Sequence, residues 1–134
     1  MQNLEELAHS LNNTVTDEGT SFEAIVTDNG LIDVTCSNNK EFPILIAMTD
    51  SQILAVTSLF NVSEVKEDKI DELNGMLLTI SPVVPLSSTG LQDGNYILFG
   101  AMSLNTIIDN IVHELEVQAE NTIDVLEAVS PLLN

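Results

Sequence analysis

Hydrophobic residues in the last quarter of the chain recur at steps of three and four positions, which is the period of one face of an α-helix. The pattern runs from Ser103 to Val129, about seven turns at 3.6 residues per turn. Its apolar positions are Leu104, Ile107, Ile108, Ile111, Val112, Leu115, Ala119, Ile123, Leu126 and Val129. The opposite side carries only carboxylates as charged groups, at Asp109, Glu114, Glu116, Glu120, Asp124 and Glu127. The sequence therefore predicts a long terminal helix with one side in a core and an anionic side in solvent.

Near the start of the chain, apolar residues at helical spacing between Leu4 and Leu11 predict a short amphipathic helix. A polar stretch with Gly19 follows and is typical of a loop.

Two alternating stretches on either side of Asp28-Asn29-Gly30 predict a β-hairpin. A two-residue turn would pair Val26 with Asp33 and place a carboxylate in the apolar face. A three-residue loop with Gly30 in the left-handed conformation avoids this. We expect this second register, since it gives one apolar face. Its pairs are Val26 with Ile32, Ala24 with Val34, and Phe22 with Cys36.

The middle of the chain predicts a third strand and then two helices. Phe42–Met48 is apolar at both parities, which is typical of a strand covered on both sides. Thr49 and Gln52 have the spacing of a helix capping box, so we expect a helix carrying the apolar residues of 53–60. A second helical pattern begins at about Lys66.

Gly75 lowers the helix propensity of this second pattern by about 1 kcal/mol relative to alanine. The helix can therefore stop at Asn74-Gly75, so that residues 76–81 are either helix or strand, and Pro82 ends the element in both cases.

After Pro82, an extended stretch over Val84–Leu91, a turn at Asp93-Gly94 and an apolar stretch over Tyr96–Met102 predict a second hairpin. The expected order is α-β-β-β-α-α-β-β-α, with the long C-terminal amphipathic helix on a five-stranded, largely antiparallel sheet. Strands and helices segregated in this way indicate the α+β fold class. The length of 134 residues predicts a single domain over residues 1–134.

Charge is the strongest compositional signal, with 21 acidic residues, three lysines and a net charge of −18. Nucleic acids and anionic membrane surfaces are bound through clustered lysine and arginine, so neither is expected as a direct partner. A basic protein surface is expected instead, because complementary fields accelerate encounter. The alternative is that the acidity only maintains solubility. With one cysteine, no signal-peptide pattern and no membrane-spanning run, we expect a cytoplasmic protein.

Candidate chemical groups do not form a recognisable catalytic or metal-binding motif. His9, His113 and Cys36 lie far apart, without a closely spaced ligand pair, so no metal or cofactor is predicted. Cys36 on an apolar strand face predicts an inert, buried thiol. Ser87-Ser88-Thr89-Gly90 lacks the Gly-x-Ser-x-Gly elbow of hydrolases and is typical of a polar edge strand. The sequence therefore indicates no catalytic residue and predicts a protein that is not an enzyme.

Like charges four residues apart, Glu116 with Glu120 and Glu120 with Asp124, each destabilise an isolated helix by a few tenths of a kcal/mol. Either the packed side of the helix outweighs this repulsion, or a cationic partner offsets it. The second case gives the hypothesis of a protein-docking surface. Its residues are Asp109, Glu114, Glu116, Glu120, Asp124 and Glu127.

The chain resembles two known groups of proteins. The order of elements and the acidity resemble the type III secretion chaperone fold, whose members are small acidic α+β proteins that bind other proteins, usually as dimers. The run from Pro85 to Gly90, the run from Tyr96 to Ser103 and the acidic helix resemble the YjfI-like family of uncharacterised bacterial proteins. Genes of that family tend to lie beside one for a phage-shock-protein-A-like membrane-remodelling protein. The resemblance implies an accessory protein that binds this helical neighbour, with homodimerisation left open, and it transfers no catalytic residue.

The leading function is therefore a non-enzymatic, acidic protein-binding module or chaperone-like adaptor. One alternative is an acidic decoy that mimics nucleic acid and occupies a DNA-binding protein, which requires carboxylates spaced like phosphates along a ridge. Another is a small enzyme with a carboxylate-based site, which requires a deep cleft with two carboxyl groups in contrasting environments.

Overall fold

The computed structural model describes residues 3–134 and contains one antiparallel sheet with helices packed against it. Within these residues the helices are α1 (Leu4–Asn12), α2 (Ile70–Ile80) and α3 (Ile108–Val129). The strands are β1 (Phe22–Val26), β2 (Ile32–Cys36), β3 (Asn39–Met48), β4 (Ile53–Asn61), β5 (Ser88–Gln92) and β6 (Asn95–Met102). Short 3₁₀ turns occur at Val62–Glu64, Glu67–Lys69 and Ser130–Leu132.

The sheet has the strand order β1-β2-β3-β4-β6-β5. Every neighbouring pair is antiparallel, so the predicted α+β class is confirmed. The prediction of five strands was wrong, because the sheet has six. Helices pack on one face of the sheet. No helix of residues 3–134 packs on the opposite face, which we call the open face.

The additional strand is β4, which replaces the helix predicted for residues 53–60. The Thr49 side chain does accept backbone hydrogen bonds, from Ser51 N at 3.2 Å and Gln52 N at 3.1 Å. These bonds close the turn between β3 and β4. Threonine makes the same local hydrogen bonds in turns and at helix starts, so the motif does not distinguish the two. Alternate residues from Ile53 to Thr57 then face the helices, as expected for a strand.

The β1–β2 hairpin has the register predicted from its apolar face, with Val26 opposite Ile32 and Phe22 opposite Cys36. Gly30 has φ of +80°, as the three-residue loop requires. The choice of register on the basis of a uniform apolar face is confirmed.

The prediction that β3 is covered on both sides was wrong. Ile44 and Ile46 are fully buried under the helices, whereas Leu45 between them is 41% exposed on the open face. Apolar residues at both odd and even positions therefore belong here to a strand with one buried side and one apolar side on the open face.

Residues 76–80 belong to α2, which runs through Gly75 to Ile80. Buried Leu73 and Leu77 hold this helix against the sheet, so packing outweighs the low helix propensity of glycine.

We expect Gly75→Ala to stabilise the protein by about 1 kcal/mol, because alanine has the higher helix propensity. A Cβ at this position would have no atom within 4 Å, so no clash opposes the gain. Urea unfolding checks this value. A loss of stability would show that Gly75 has a packing role absent from the structure.

The terminal helix is shorter than its sequence pattern, since α3 begins at Ile108 and not at Ser103. Residues 103–106 form a turn in which Thr106 N donates to Ser103 O at 3.0 Å. Leu104 and Ile108 both pack on the core, so the apolar spacing continues through a segment that is not helical.

Buried side chains form two hydrophobic clusters under the helices, separated by polar residues. One cluster includes Ala55 and Leu115, and the other includes Leu59 and Val125. Buried polar residues separate these members on each element. Thr57 lies between Ala55 and Leu59 on β4, and Gln118 and Thr122 lie between Leu115 and Val125 on α3. The core is therefore divided by a polar centre.

That polar centre also changes which side of α3 is buried. Gln118, Asn121 and Thr122 are buried, whereas Ile123, predicted to face the core, is 42% exposed. The Asn121 amide donates to Pro85 O at 2.7 Å, so hydrogen bonds to neighbouring segments orient the helix together with its apolar contacts.

Candidate protein-docking ridge on the terminal helix

Five of the six predicted docking carboxylates lie along one stripe of α3. At 3.6 residues per turn, the positions of these five fall within about 80° around the helix axis. They are Asp109, Glu116, Glu120, Asp124 and Glu127. Glu114 lies about 80° outside the stripe by the same geometry and is half-buried. Burial raises the pKa of Glu114, and nearby His113 opposes that increase.

Glu116 is buried, contrary to its predicted place on the solvent side of the helix. Its side chain is 5% exposed, and its Oε2 accepts a hydrogen bond from the Thr16 hydroxyl at 2.6 Å. Thr16 belongs to the connection between α1 and β1, residues 13–21, which we call the α1–β1 loop. This bond fixes the α1–β1 loop against α3.

The α1–β1 loop adds carboxylates to the stripe that the helix pattern could not indicate. Burial raises the pKa of Glu120, and the charges of Glu18 and then Glu116 and Asp124 raise it further, while His113 lowers it. Glu18 therefore lies close enough to act on Glu120 although the two residues are far apart in the sequence. We define the acidic ridge by residues of both segments. They are Asp17, Glu18, Asp109, Glu116, Glu120, Asp124 and Glu127.

The α1–β1 loop and α3 line a cavity of about 420 Å³ that is open to solvent within the acidic ridge. Its acidic lining comes from Asp17, Glu18, Asp109 and Glu116, accompanied by His113. Val15 and Val112 provide apolar walls. A lysine or arginine side chain suits such a site, because its methylene stem can contact apolar walls while its charge meets carboxylates. We call this cavity the acidic notch.

The acidic notch is also where the small-enzyme alternative would require its two contrasting carboxyl groups. Glu116 is buried and Asp109 is exposed, so the environments do differ. The Glu116 carboxylate, however, already accepts the Thr16 hydrogen bond. The arrangement accounts for binding of a cation more directly than for proton transfer.

Cys36 is buried on the helix-covered face of β2, as predicted from its place in the hairpin. Burial, and secondly the charge of Glu116, raises the pKa of its thiol to about 12. The thiol therefore stays protonated near neutral pH and is a poor nucleophile. In residues 3–134, no three side chains of the histidine, cysteine, aspartate and glutamate types are grouped as a metal site requires.

The raised pKa of Glu120 predicts a pH-dependent effect of removing its charge. The charged form opposes folding above the folded-state pKa, and this opposition disappears as the pH falls below the unfolded-state value of about 4.3. We therefore expect Glu120→Gln to raise the Tm at pH 7, with the gain vanishing near pH 4. Thermal unfolding from pH 4 to 7 checks this, with Glu67→Gln, outside the acidic ridge, as the matched control. Equal gains in both variants would show that only net charge matters.

Comparison with known proteins identifies the family. A family model described as "Uncharacterized protein conserved in bacteria (DUF2170)" matches residues 1–133. The chain belongs to this family. It is 33% identical over 109 residues to the uncharacterized protein YjfI of Escherichia coli K12, covering 72% of this chain and 80% of that protein. YjfI of Escherichia coli O157:H7 matches equally well. The resemblance to YjfI-like proteins is thus confirmed.

Solved structures share the fold at low sequence identity. YbjN, a putative transcription regulator from E. coli, has a TM-score of 0.70 at 18% identity, covering 98% of this chain and 94% of that chain. The HopA1–SchA chaperone–effector complex gives 0.60 at 14% identity, covering 92% and 90%. The ExoU–SpcU complex of the Pseudomonas aeruginosa type III secretion system gives 0.55 at 14% identity, covering 95% and 97%. The predicted likeness to the type III secretion chaperone fold is confirmed.

Among residues 3–134, no helix has the length and apolar character needed to cross a membrane.

Proposed function

We propose that this DUF2170 protein is a non-enzymatic adaptor that binds a basic protein through the acidic ridge. The observation that carries the proposal is the acidic notch, where Asp17 and Glu18 of the α1–β1 loop meet Asp109 and Glu116 of α3 around one cavity. Carboxylates converge there from two segments, and the charges of Glu18 and Glu116 repel that of neighbouring Glu120, since they raise its pKa. A cationic side chain from a partner would relieve that repulsion.

The rest of the chain supports this reading. The net charge of −18 favours rapid encounter with a basic partner and opposes binding to phosphate backbones. The same fold occurs in the HopA1–SchA chaperone–effector complex and in the heterodimeric ExoU–SpcU complex, each of which joins two different proteins. The phage-shock-protein-A-like neighbour implied by the YjfI resemblance is one candidate partner, and this protein would act on it in the cytoplasm without contacting lipid itself.

A charge-removal experiment tests the ridge directly. The variant Asp109→Asn/Glu120→Gln/Asp124→Asn keeps side-chain size and removes three charges from exposed positions of the acidic ridge. We expect its capture of partner proteins from the native host to fall by roughly tenfold, because interfacial charges steer association and pair with the partner. Quantitative mass spectrometry of affinity-purified complexes gives the measurement.

The matched control is Glu67→Gln/Asp68→Asn/Asp71→Asn, which removes three exposed charges near the start of α2. Equal loss in both triple variants would reduce the effect to net charge. Unchanged capture by the ridge variant from low salt to 0.5 M NaCl would reject the proposal.

A further inference from the structure

The open face of the sheet carries rows of apolar side chains that run across the strands. Leu45 on β3 is opposite Val56 on β4, and Val56 is opposite Phe99 on β6. The next row consists of Ala47, Leu54 and Ala101. The buried sheet residues of both core clusters belong to the helix-covered face, so no element of residues 3–134 covers these apolar rows.

The first row continues onto the remaining strands through a carboxylate. Leu45 is opposite Asp33 on β2, and Asp33 is opposite Ile25 on β1, which is 67% exposed. Within residues 3–134, the Asp33 side chain forms neither an ion pair nor a hydrogen bond. A cation is the best match for Asp33 in a molecule that covers this row, because burial of an unpaired carboxylate is strongly unfavourable.

The spacing of this row, about 4.8 Å per strand, is close to the pitch of an α-helix laid across the strands, which is about 5.4 Å per turn. Neighbouring strands are about 4.8 Å apart, which corresponds to about three residues of a helix rising 1.5 Å per residue. The row from Phe99 to Ile25 crosses four such intervals, about 19 Å or 13 helical residues. A helix with apolar residues every three to four positions would therefore meet Phe99, Val56 and Leu45 in succession and then reach Asp33.

We propose that the open face binds an amphipathic helix of a partner protein, with its apolar stripe on Leu45, Val56 and Phe99 and a lysine or arginine at Asp33. This inference goes beyond the acidic ridge, because the open face lies on the other side of the sheet from α3. A second copy of this chain is the poorer occupant. Its own open face also contains Asp33, and it brings another net charge of −18.

Selection from a phage-displayed library of random 15-residue peptides on the full chain tests the proposal without assuming a partner. We expect enriched peptides to combine an apolar stripe at helical spacing with a lysine or arginine beyond one end of it. Val56→Asp should weaken their binding at least tenfold, measured by fluorescence anisotropy. Asp33→Asn should weaken it roughly fivefold to tenfold, the range for loss of one charge pair.

Asp124→Asn is the matched control, because it removes one charge from the acidic ridge and leaves the open face intact. Circular dichroism establishes that each variant is folded, and Asp33→Asn, which is half-exposed and nearly isosteric, gives a second test if Val56→Asp unfolds. Binding that is lost with Asp124→Asn but kept with the open-face variants would leave the ridge function standing and reject this proposal.

Three other results would also overturn it. The first is that no peptide is enriched. The second is that the enriched peptides lack a cation and bind the Asp33→Asn variant as tightly as the wild type. The third is that the wild type sediments as a dimer that Val56→Asp dissociates. The last result would assign the open face to a second copy of the chain.

Discussion

Replacing Gln118 by alanine is expected to lower the free energy of unfolding by about 3 kcal/mol, through loss of buried hydrogen bonds and creation of a cavity. Gln118 is 2% exposed at the polar centre that divides the core. Its amide nitrogen donates to Thr57 Oγ1 at 3.0 Å and lies within 3.3 Å of Ala55 O and 3.4 Å of Leu98 O. One side chain thus connects α3 to both β4 and β6.

Two further single variants and their combination separate the effect of the cavity from that of the lost hydrogen bonds. Gln118→Leu keeps most of the volume, so we expect a smaller loss of about 2 kcal/mol from the hydroxyl of Thr57, which is fully buried, left without its donor. Thr57→Val removes that hydroxyl. The double variant Gln118→Leu/Thr57→Val should therefore be more stable than the sum of the two single effects predicts. Urea unfolding measures the free energy of unfolding of the wild type and of all four variants. A loss below 1 kcal/mol for Gln118→Ala would show that the polar centre is not needed for stability.

Gly100→Ala is expected to destabilise the protein by about 2 kcal/mol, because the position has no room for a methyl group. A Cβ there would lie 3.1 Å from the backbone oxygen of Leu86 and 3.3 Å from Gln118 Oε1. The segment that contains Leu86 cannot move away easily. Leu86 is already in the left-handed region with φ of 62°, and Asn121 holds Pro85 O by a hydrogen bond.

The matched control for Gly100→Ala is Gly90→Ala on the neighbouring strand β5. Its Cβ would lie 3.1 Å from an edge atom of the Phe99 ring. A side chain at the open face can shift where a backbone oxygen cannot, so we expect a loss below 1 kcal/mol. Chemical denaturation of both variants gives the comparison. Equal losses would show that loss of glycine itself, and not the contact with Leu86, determines stability.

The helix face of α3 shows why part of the candidate site could be predicted from sequence. Asp109, Glu120, Asp124 and Glu127 follow from the helical period, which depends only on local backbone geometry. Glu116 has nearly the same angular position but is buried, because Thr16 from the α1–β1 loop bonds to it. Asp17 and Glu18 were missed, since no local pattern indicates which helix a polar loop will contact.

The segment 53–60 shows which part of the fold could not be predicted from sequence. Its apolar spacing fits both a helix and a two-sided strand, and the bonds of Thr49 occur at the start of either element. Pairing with distant strands makes this segment a strand, since Leu54 is opposite Ala47 on β3 and Ala101 on β6. A central strand gains ladder hydrogen bonds on both edges, which an isolated helix in this place would not.

Sequence patterns alone predicted the α+β class, the β1–β2 register, the long acidic helix and the family, because each depends on local period, turn chemistry or residue identity. Tertiary contacts were needed to show that β4 is a strand, that Glu116 is buried and that the α1–β1 loop completes the acidic notch. They also show that the elements of residues 3–134 leave one face of the sheet uncovered. These features depend on contacts between residues distant in the chain, and such contacts form only when elements with compatible surfaces pack together.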